Sequence, residues 1–351
     1  MHTPSIETLL YPGSLTDVQG IEVGQHTLAE RPTGCSVVIA RSGAVGGVDV
    51  RGAAPGTRET DLLNPANAVD VVHAVLLTGG SAWGLDAAGG VMRWLEQQGI
   101  GLPLGTAPGL VVPIVPAAVL FDLFLGDARI RPDAAAGYAA CQAASTQPVA
   151  QGNVGAGAGA TVGKLFGAPY AMKGGVGSAS VSVGDEAGRR RVTVGALIAV
   201  NALGDVVDPD SGTPIAGART ADGQHLRGSV AALLAGESPL SILSGSNTTI
   251  GVVATNAPLT KAQAQRLAGA GHDGLARAIR PVHTMSDGDT LFALSTGQAT
   301  DQAAALDFNV LCTLAGVAVQ RACVNAVRAA RGMQLGEFWL PSASDLIASK
   351  A

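Results

Sequence analysis

The amino-acid sequence predicts a layered α/β fold built from closely packed strands and helices. Hydrophobic residues make up 47% of the 351 residues, whereas charged residues account for 14% and aromatic residues for 3%. Apolar material is ample, but the core has to be assembled from Ala, Val, Leu and the 48 glycines. Because small side chains let backbones approach closely, we expect tightly packed layers rather than loosely joined modules. The length fits either two domains or one large layered domain.

Charge, hydropathy and cysteine use exclude several classes of function. The formal net charge is −5, with 22 Lys and Arg against 27 Asp and Glu, so a nucleic-acid partner is not expected. The longest apolar run, residues 110–121, is too short to span a membrane, and no secretion signal is visible. We therefore expect a cytoplasmic protein without a membrane segment. The four cysteines are scattered without metal-ligand spacing and are interpreted as small buried hydrophobic side chains.

Strands and a helix are predicted in the first third of the chain. Residues 35–41 and 46–52 are typical of two strands joined by a glycine-containing turn, a hairpin. Residues 73–80 predict a buried strand that ends in a glycine pair. A helix follows directly, because apolar residues recur at helical spacing until Gly99 stops the pattern.

The middle of the chain predicts further strands and a turn-rich excursion. Residues 171–183 and 190–201 indicate two long neighbouring strands. Residues 205–228 are rich in turn residues and are interpreted as a surface excursion. Residues 229–246 predict a short apolar helix and then a Ser/Gly loop. A strand over 247–259 begins abruptly after that loop, at a run of hydroxyl residues.

The last third predicts two helices around a strand. Thr260 and Gln263 form a capping-box pattern that opens a helix over 261–279. Residues 289–296 predict a strand, and residues 301–332 carry the longest helical pattern of the chain. Together, the strands and helices indicate layers rather than a strict βαβ alternation.

The glycine-rich stretch 155–164 does not carry a recognisable phosphate-binding loop. A Walker pattern fails at Ala158 and at Leu165, where glycine and a hydroxyl residue are needed. A loose dinucleotide-binding pattern is present, but no clear strand precedes it. Lys164 remains of interest, because it is a lone cation in apolar surroundings.

A serine hydrolase triad and a metal site find little support. The strand-turn-helix at 79–83 places Ser81 as in a nucleophile elbow, but Trp83 stands where the motif requires glycine. The acidic pair at 287–289 lacks the spacing of a zinc or calcium site and is typical of a turn. The candidate partners of a triad serine are His225, His272 and His283.

The junction between Asn247 and Thr248 has a chemical interpretation that needs no histidine. If this bond were cut, Thr248 would become an N-terminal residue whose hydroxyl is a nucleophile and whose α-amine serves as its base. Such a site needs oxyanion donors and groups that orient the amine, which an asparagine, a lysine and paired carboxylates can supply. Two threonines at a strand start also fit a purely structural interpretation.

Motifs along most of the chain resemble one known family. The sequence is similar to the DmpA-type aminopeptidases, which include β-peptidyl aminopeptidases and nylon-oligomer (6-aminohexanoate-oligomer) hydrolases, all self-cleaving N-terminal-nucleophile hydrolases. The motifs that carry this resemblance lie, in the same order, at 49–65, 76–91, 152–164, 195–208, 246–257 and 283–296.

The resemblance implies a fold, a processing event and an assembly. The family fold is an αββα sandwich of two sheets between helix layers, here as a single domain over residues 1–351. The precursor is expected to be cut into an α chain, 1–247, and a β chain, 248–351. A homotetramer and a small peptide or amide substrate are further expectations. No cofactor and no metal are implied.

The resemblance also assigns roles to individual residues. Thr248 matches the nucleophile, and Asn201 matches the asparagine that holds the oxyanion. Lys164 matches the active-site lysine of the nylon-hydrolase branch. Asp287 and Asp289 match the acidic pair of that branch and are expected to orient the amine, pair with Lys164 or bind a substrate ammonium.

Two positions depart from the family pattern. Phe121 stands where the family often has an active-site tyrosine, which removes a hydroxyl donor at a predicted substrate-binding position. Met285 replaces an acidic residue of the nylon hydrolases two positions before Asp287. Substrate specificity is therefore not transferable from that branch.

Three alternatives remain at the sequence level. Ornithine acetyltransferases also use a self-generated N-terminal threonine, so acyl transfer is a related possibility. A hydrolase with a Ser-His triad would act through Ser81 and a histidine such as His283, without chain cleavage. A non-enzymatic binding protein would be uncut and insensitive to loss of the Thr248 hydroxyl.

Overall fold

The long strands and helices that the sequence predicts are present, together with short strands in the connections. The computed structural model describes residues 10–105, 109–184, 191–240, 243, 245–299 and 306–348. The strands are β1 (Glu22–Thr27), β2 (Gly34–Val50), β3 (Thr57–Arg58), β4 (Val71–Thr78), β5 (Leu102–Pro103), β6 (Val111–Val112), β7 (Ala117–Val119), β8 (Thr161–Val162), β9 (Met172–Lys173), β10 (Gly175–Val183), β11 (Val192–Asn201), β12 (Asp205–Val207), β13 (Pro214–Ala216), β14 (Thr248–Thr255), β15 (Ile279–Arg280), β16 (Thr290–Ser295), β17 (Met333–Leu335) and β18 (Phe338–Leu340). The helices are α1 (Ala87–Gln97), α2 (Ala134–Gln142), α3 (Ser229–Leu234), α4 (Lys261–Ala278), α5 (Phe308–Ala329) and α6 (Ala343–Ala348).

One hydrogen-bonded network of nine strands contains both sheet layers. Its strands follow the order β10, β11, β14, β16, β2, β4, β7, β3, and β1 also pairs with β2. β14 runs antiparallel to β11 and parallel to β16, so it is a central strand. The predicted neighbours at 171–183 and 190–201 are confirmed as β10 and β11, which pair antiparallel. Residue 190 lies outside the described residues.

Strand β2 connects the two layers. Its first part, residues 34–39, lies between β1 and β4, whereas its last part, residues 45–50, pairs with β16. The register with β4 shifts between Ile39 and Ala44, and within this irregular stretch Gly43 has a φ of 81°. Such a bulge bends a strand, so one continuous strand can serve two layers.

The predicted hairpin at 35–41 and 46–52 is therefore wrong. Two glycines of this stretch have other uses. Gly43 allows the left-handed backbone of the bulge, which other residues adopt at a cost. Gly47 lets α4 cross closely, because a Cβ atom there would lie 2.3 Å from the backbone nitrogen of Gln265.

The first sheet layer consists of β10, β11, β14, β16 and the end of β2. Its strands β11, β14 and β16 have side chains in two different cores. In β11, Ile198 and Val200 pack with α4 and α5, whereas Leu197 and Ala199 point to the facing sheet layer. β14 and β16 alternate in the same way. Because both faces are covered, these strands are nearly continuous apolar runs in the sequence.

The second layer repeats the arrangement with other helices. In β4, Val75 and Leu77 face the first sheet layer, and Ala74 and Leu76 pack outward against α1 and α2. The layers therefore follow the order α4 and α5, sheet, sheet, α1 and α2. This confirms the αββα sandwich and the single layered domain that the resemblance implied.

Close backbone contacts account for the glycine and alanine content. A Cβ atom on Gly177 of β10 would lie 2.1 Å from the carbonyl oxygen of Ala322 in α5. A Cβ atom on Gly274 of α4 would lie 2.3 Å from the carbonyl oxygen of Gly316 in α5. The two helices thus touch each other and the sheet at glycines, which confirms the expected tight packing.

Other sequence predictions are confirmed or corrected locally. The capping box of α4 is present, because Thr260 and Gln263 each accept a hydrogen bond from the other's backbone N–H. The turn-rich excursion at 205–228 is partly wrong, because β12 is buried and pairs with β13 and β15. The long helix begins at Phe308, and residues 301–305 of its predicted range lie outside the described residues.

Among the described helices, α5 is long and apolar enough to cross a membrane by length and composition alone. Most of its apolar stretch is buried inside the domain, against β10, β11 and α4. This burial is the behaviour of a core helix in a layered fold.

A fully buried ion pair anchors the segment that follows β7. The Arg31 guanidinium contacts the carboxylate of Asp122, and neither side chain is exposed. The same carboxylate accepts hydrogen bonds from the Thr33 hydroxyl at 2.6 Å and from the Gly80 N–H at 2.9 Å. Arg31 also donates to the carbonyl oxygen of Leu125 at 2.7 Å. These bonds tie the segment after β7 to the start of β2.

We expect Asp122→Ala to lower the free energy of unfolding by about 3–5 kcal/mol, because it leaves the buried Arg31 charge without its partner. Urea denaturation followed by circular dichroism measures this change. Asp127→Ala is the matched control, because Asp127 pairs with Arg129 on the surface of the same segment. Equal stability of the two variants would contradict the anchoring role.

Candidate active site

The pairing of β11 with β14 brings the predicted nucleophile and the predicted oxyanion residue together. Asn201, the last residue of β11, lies directly opposite Thr248, the first residue of β14. The segment before β16 carries Asp287 and Asp289, and an isolated parallel bridge joins Asp287 to Asn247. All five residues are buried. Three separate chain segments therefore meet at one end of the central strands.

The side-chain amide of Asn201 is fixed by its neighbours. Its Oδ1 accepts hydrogen bonds from the Thr161 N–H at 3.0 Å and from Lys164 Nζ at 2.8 Å. A backbone N–H can only donate, so this side of the amide must be the oxygen. Nδ2 donates to the carbonyl oxygen of Phe121 at 2.9 Å. One of its two N–H bonds is used there.

Phe121 contributes to the site through its backbone. The position was predicted from the side chain that the family has there, but the contact that orients Asn201 is made by the Phe121 carbonyl. The phenyl ring packs against Phe124 with ring centroids 4.8 Å apart and lines a cavity. A substrate-binding role of Phe121 stays a prediction.

Lys164 is a buried cation held by oxygens. Its Nζ lies 2.8 Å from Asn201 Oδ1, 3.1 Å from the Asn201 carbonyl oxygen and 3.5 Å from the Ser246 carbonyl oxygen. Burial lowers the pKa of Lys164 to about 7, although the charges of Asp287 and Asp289 act in the opposite direction. In the described residues neither aspartate reaches ion-pair distance from Lys164, so the expected pairing is not seen.

The two aspartates hold different parts of the backbone. Asp287 Oδ2 accepts hydrogen bonds from the Thr284 N–H at 2.8 Å and from the Thr284 hydroxyl at 2.6 Å. Burial, followed by the charge of Asp289, raises the pKa of Asp287 to about 6. Asp289 Oδ1 accepts the N–H of Thr249 at 2.7 Å, and its Oδ2 faces His283. Asp289 therefore holds the backbone beside Thr248.

Two donors contact the carbonyl oxygen of the peptide bond between Asn247 and Thr248. The carbonyl oxygen of Asn247 accepts the N–H of Gly288 at 2.9 Å, and the Thr248 hydroxyl lies 2.5 Å from the same oxygen. A Cβ atom on Gly288 would lie 2.9 Å from Thr248 Oγ1 and 2.7 Å from the carbonyl oxygen of Ala54. Only glycine leaves this space, and a fixed N–H on the oxygen is the donor that a developing oxyanion needs.

Two residues of the site were missed at the sequence level. Gly288 lies within the acidic pair, whose sequence is typical of a turn, and its N–H contacts the Asn247 carbonyl oxygen. Lys173 is fully buried and donates to the carbonyl oxygens of Gly157, Ala160 and Gly174 at 2.8–3.0 Å. These bonds hold residues 157–160 of the glycine-rich segment in place, directly before Thr161, whose N–H donates to Asn201. The sequence signal that could have identified Lys173 is a lysine within an apolar, strand-like stretch.

A cavity of about 880 Å³ adjoins this cluster. Lys164 and Thr161, which donate hydrogen bonds to Asn201 Oδ1, lie in its lining. The other walls are mainly apolar and include residues of the β17–β18 hairpin. The larger apolar side chains in the lining include Phe121, Phe124, Leu125, Met333, Leu335 and Phe338. The space is large enough for a small substrate beside the predicted catalytic residues.

The serine triad does not assemble in the described part of the chain. Ser81 lies after β4 with a φ of 54°, and none of its described contacts is a hydrogen bond to a histidine. His272 and His283 are bonded to other groups, and His225 is exposed. The described residues also contain no group of three or more His, Cys, Asp or Glu side chains placed to hold a metal ion.

Comparison with known sequences places the chain in one peptidase family. A family model described as peptidase family S58 matches residues 13–337. An uncharacterized aminopeptidase of Mycobacterium leprae is 52% identical over 303 residues, which cover 81% of this chain and 78% of the relative. A 6-aminohexanoate-oligomer endohydrolase of Paenarthrobacter ureafaciens is 31% identical over 286 residues, covering 80% of this chain and 74% of that relative.

Solved structures share the fold over almost the whole chain. A β-aminopeptidase of a Burkholderia species superposes with a TM-score of 0.68 at 25% identity, covering 97% of this chain and 95% of that one. The L-aminopeptidase D-Ala-esterase/amidase of Ochrobactrum anthropi, described as a variant of the N-terminal-nucleophile hydrolase fold, has a TM-score of 0.70 at 22% identity, with 97% and 94% coverage. The chain thus belongs to peptidase family S58, the DmpA-type aminopeptidases, and is a hydrolase of amide bonds.

Proposed function

We propose that the chain cuts itself between Asn247 and Thr248, and that the freed Thr248 then hydrolyses amide bonds of small substrates. The observation that carries this proposal is the environment of the Asn247 carbonyl group. A hydroxyl nucleophile and a backbone donor, the N–H of Gly288, both contact its oxygen inside a buried site. Asn201 stands opposite, on the neighbouring strand.

Self-cleavage proceeds by an N-to-O acyl shift. The Thr248 hydroxyl oxygen bonds to the carbonyl carbon of Asn247, the C–N bond breaks, and the hydroxyl proton ends on the nitrogen of Thr248. The Gly288 N–H stabilises the negative charge on the oxygen during this step. Water then hydrolyses the ester, which leaves a carboxylate on Asn247 and a free amine on Thr248. Lys164 is the proton carrier at this stage, because no free amine exists before the cut.

Turnover uses the same oxygen atom with a different base. The free α-amine of Thr248, whose ordinary pKa is about 7.7–8.0, takes the hydroxyl proton as the oxygen attacks the substrate amide. Asn201 Nδ2 stabilises the oxyanion, and the amine returns the proton to the leaving group. Water then releases the acyl group from Thr248. Asp289 keeps the nucleophile in place through the backbone of Thr249.

The names of the relatives support one substrate class over the other. The relative that is 52% identical is named an aminopeptidase, whereas the named oligomer endohydrolase is 31% identical. Met285 also departs from the pattern of the nylon-hydrolase branch, and Phe121 departs from that of the family as a whole. We therefore infer removal of amino-terminal residues from small peptides or amides. A homotetramer and a cytoplasmic location stay predictions.

Wild-type protein is expected to give two bands on a denaturing gel, of about 25 and 10 kDa, from 247 and the remaining 104 of the 351 residues. Thr248→Val has the same shape without the hydroxyl, so we expect a single intact chain. We also expect no release of product from a panel of L-, D- and β-aminoacyl p-nitroanilides, because no nucleophile is present.

Thr249→Val is the matched control for this experiment. The Thr249 hydroxyl is buried and has no hydrogen-bond partner in the described structure, so its loss should leave cleavage and activity unchanged. An active wild-type protein that runs as one intact band would contradict the proposal. Transfer of an acyl group to an amino-acid acceptor without amide hydrolysis would instead support the acyltransferase alternative.

The rate of self-cleavage should rise with pH through about 7. Lys164 has a pKa of about 7 and accepts a proton only in its neutral form, so the rate should fall about tenfold for each pH unit below that value. The pKa of Asp287, about 6, lies lower, so this carboxylate is largely ionised in the range in which Lys164 loses its proton. A time course of freshly translated precursor in buffers from pH 5 to 9 measures this dependence.

Lys164→Arg removes the titration, because a guanidinium does not lose its proton in this range. Its cleavage should be slow at every pH. Lys261→Arg is the control, because Lys261 is also buried and donates to three carbonyl oxygens, including those of Leu62 and Asn67. A rate that does not change with pH in the wild type would exclude Lys164 as the proton carrier.

A further inference from the structure

The carboxylate of Asp289 is shared between the nucleophile strand and a histidine. Asp289 is 1% exposed, and its Oδ1 accepts the N–H of Thr249 at 2.7 Å. Its Oδ2 accepts two hydrogen bonds from His283, one from the backbone N–H at 3.1 Å and one from Nδ1 at 2.8 Å. Both oxygens are thus committed to groups that fix the carboxylate in one orientation.

The backbone of His283 is held in an uncommon conformation. Its φ is 57°, in the left-handed region, where Asn, Asp and His occur more often than other residues with a side chain. This conformation directs the backbone N–H and the ring nitrogen of the same residue at one carboxylate oxygen. Outliers of this kind persist where surrounding contacts hold them, and they concentrate at functional sites.

The ring of His272 packs against the ring of His283. The two ring centroids are 4.8 Å apart with an interplanar angle of 67°. His272 is fully buried in α4, and its Nε2 bonds to the carbonyl oxygen of Asp49 at 2.9 Å. A carbonyl can only accept, so the proton of His272 is on Nε2, and that of His283 is on Nδ1, which faces the carboxylate. The ring of His272 is therefore bonded to the backbone of β2, and the ring of His283 to the buried Asp289 carboxylate.

We propose that His283 is a positioning residue for the Thr248 nucleophile, acting through Asp289 and supported by His272. The inference rests on the proposed function. The contacts form a chain from Thr249, beside the nucleophile, to Asp289 and the histidines. His283 keeps Asp289 Oδ1 directed at the Thr249 N–H. That bond fixes the direction in which β14 begins, and with it the placement of the Thr248 hydroxyl and amine opposite Asn201.

Two variants of His283 test this role in the full-length protein. His283→Ala removes the Nδ1 donor, so kcat on the best aminoacyl p-nitroanilide of the panel should fall roughly tenfold with KM changed less than about twofold. His283→Asn should restore kcat to within about threefold, because asparagine tolerates the positive φ and its Nδ2–H replaces the Nδ1–H. His225→Ala, at an exposed histidine, is the control and should match the wild type.

The rate of self-cleavage gives a second readout if His283→Ala folds poorly. Slower cleavage of His283→Ala that His283→Asn restores would support the positioning role. Wild-type kinetics in His283→Ala would overturn it, and so would a His283→Asn variant as impaired as His283→Ala. Failure of the proposed function has a different signature, because Thr248→Val would then remain cleaved or active whatever the His283 variants do.

Discussion

The antiparallel register between β11 and β14 is the constraint on which the site depends. It places Asn201 across from Thr248, and the parallel partner β16 brings the acidic segment to the same end. A slip of one residue would exchange the two faces of β14, and both faces are buried in different cores. The packing that stabilises the sandwich therefore also fixes which side chains meet at the Asn247–Thr248 bond.

The buried charged groups around this bond are hydrogen-bonded mainly to the backbone. Lys164 and Lys173 bind carbonyl oxygens, whereas Asp289 binds backbone N–H groups of β14 and of its own loop. An unpaired charge in such surroundings would be costly, and each hydrogen bond offsets part of that cost. Because the partners belong to strands and tight loops, the polar side chains have little freedom to turn. A chain with few charged residues thus keeps several of them in one rigid cluster.

Local signals in the sequence predicted part of this structure well. The capping box at Thr260 and the apolar strands required only neighbouring residues and burial on two faces. The prediction of a hairpin at 35–41 and 46–52 failed because a glycine can also allow a bulge within one strand, and here Gly43 adopts the left-handed backbone of such a bulge. The αββα order itself followed from the family resemblance, since periodicity does not determine which layers face each other.

The candidate site, like the fold, could be predicted from the sequence only in part. Motif similarity identified Thr248, Asn201 and the aspartates, and the structure brings these residues together. The backbone contributions of Phe121 and Gly288 were out of reach, because a carbonyl or an N–H has no signature in the sequence. They depend on contacts between segments far apart along the chain.

The central position of β14 has a consequence for the thermodynamics of a cut molecule. β14 and β16 lie between β11 and β2, so a break before Thr248 leaves the central pair of strands on one chain and both neighbouring strands on the other. Neither chain alone contains a complete sheet or a complete core. Unfolding would then also be a dissociation, and the apparent stability of the mature protein would increase with its concentration.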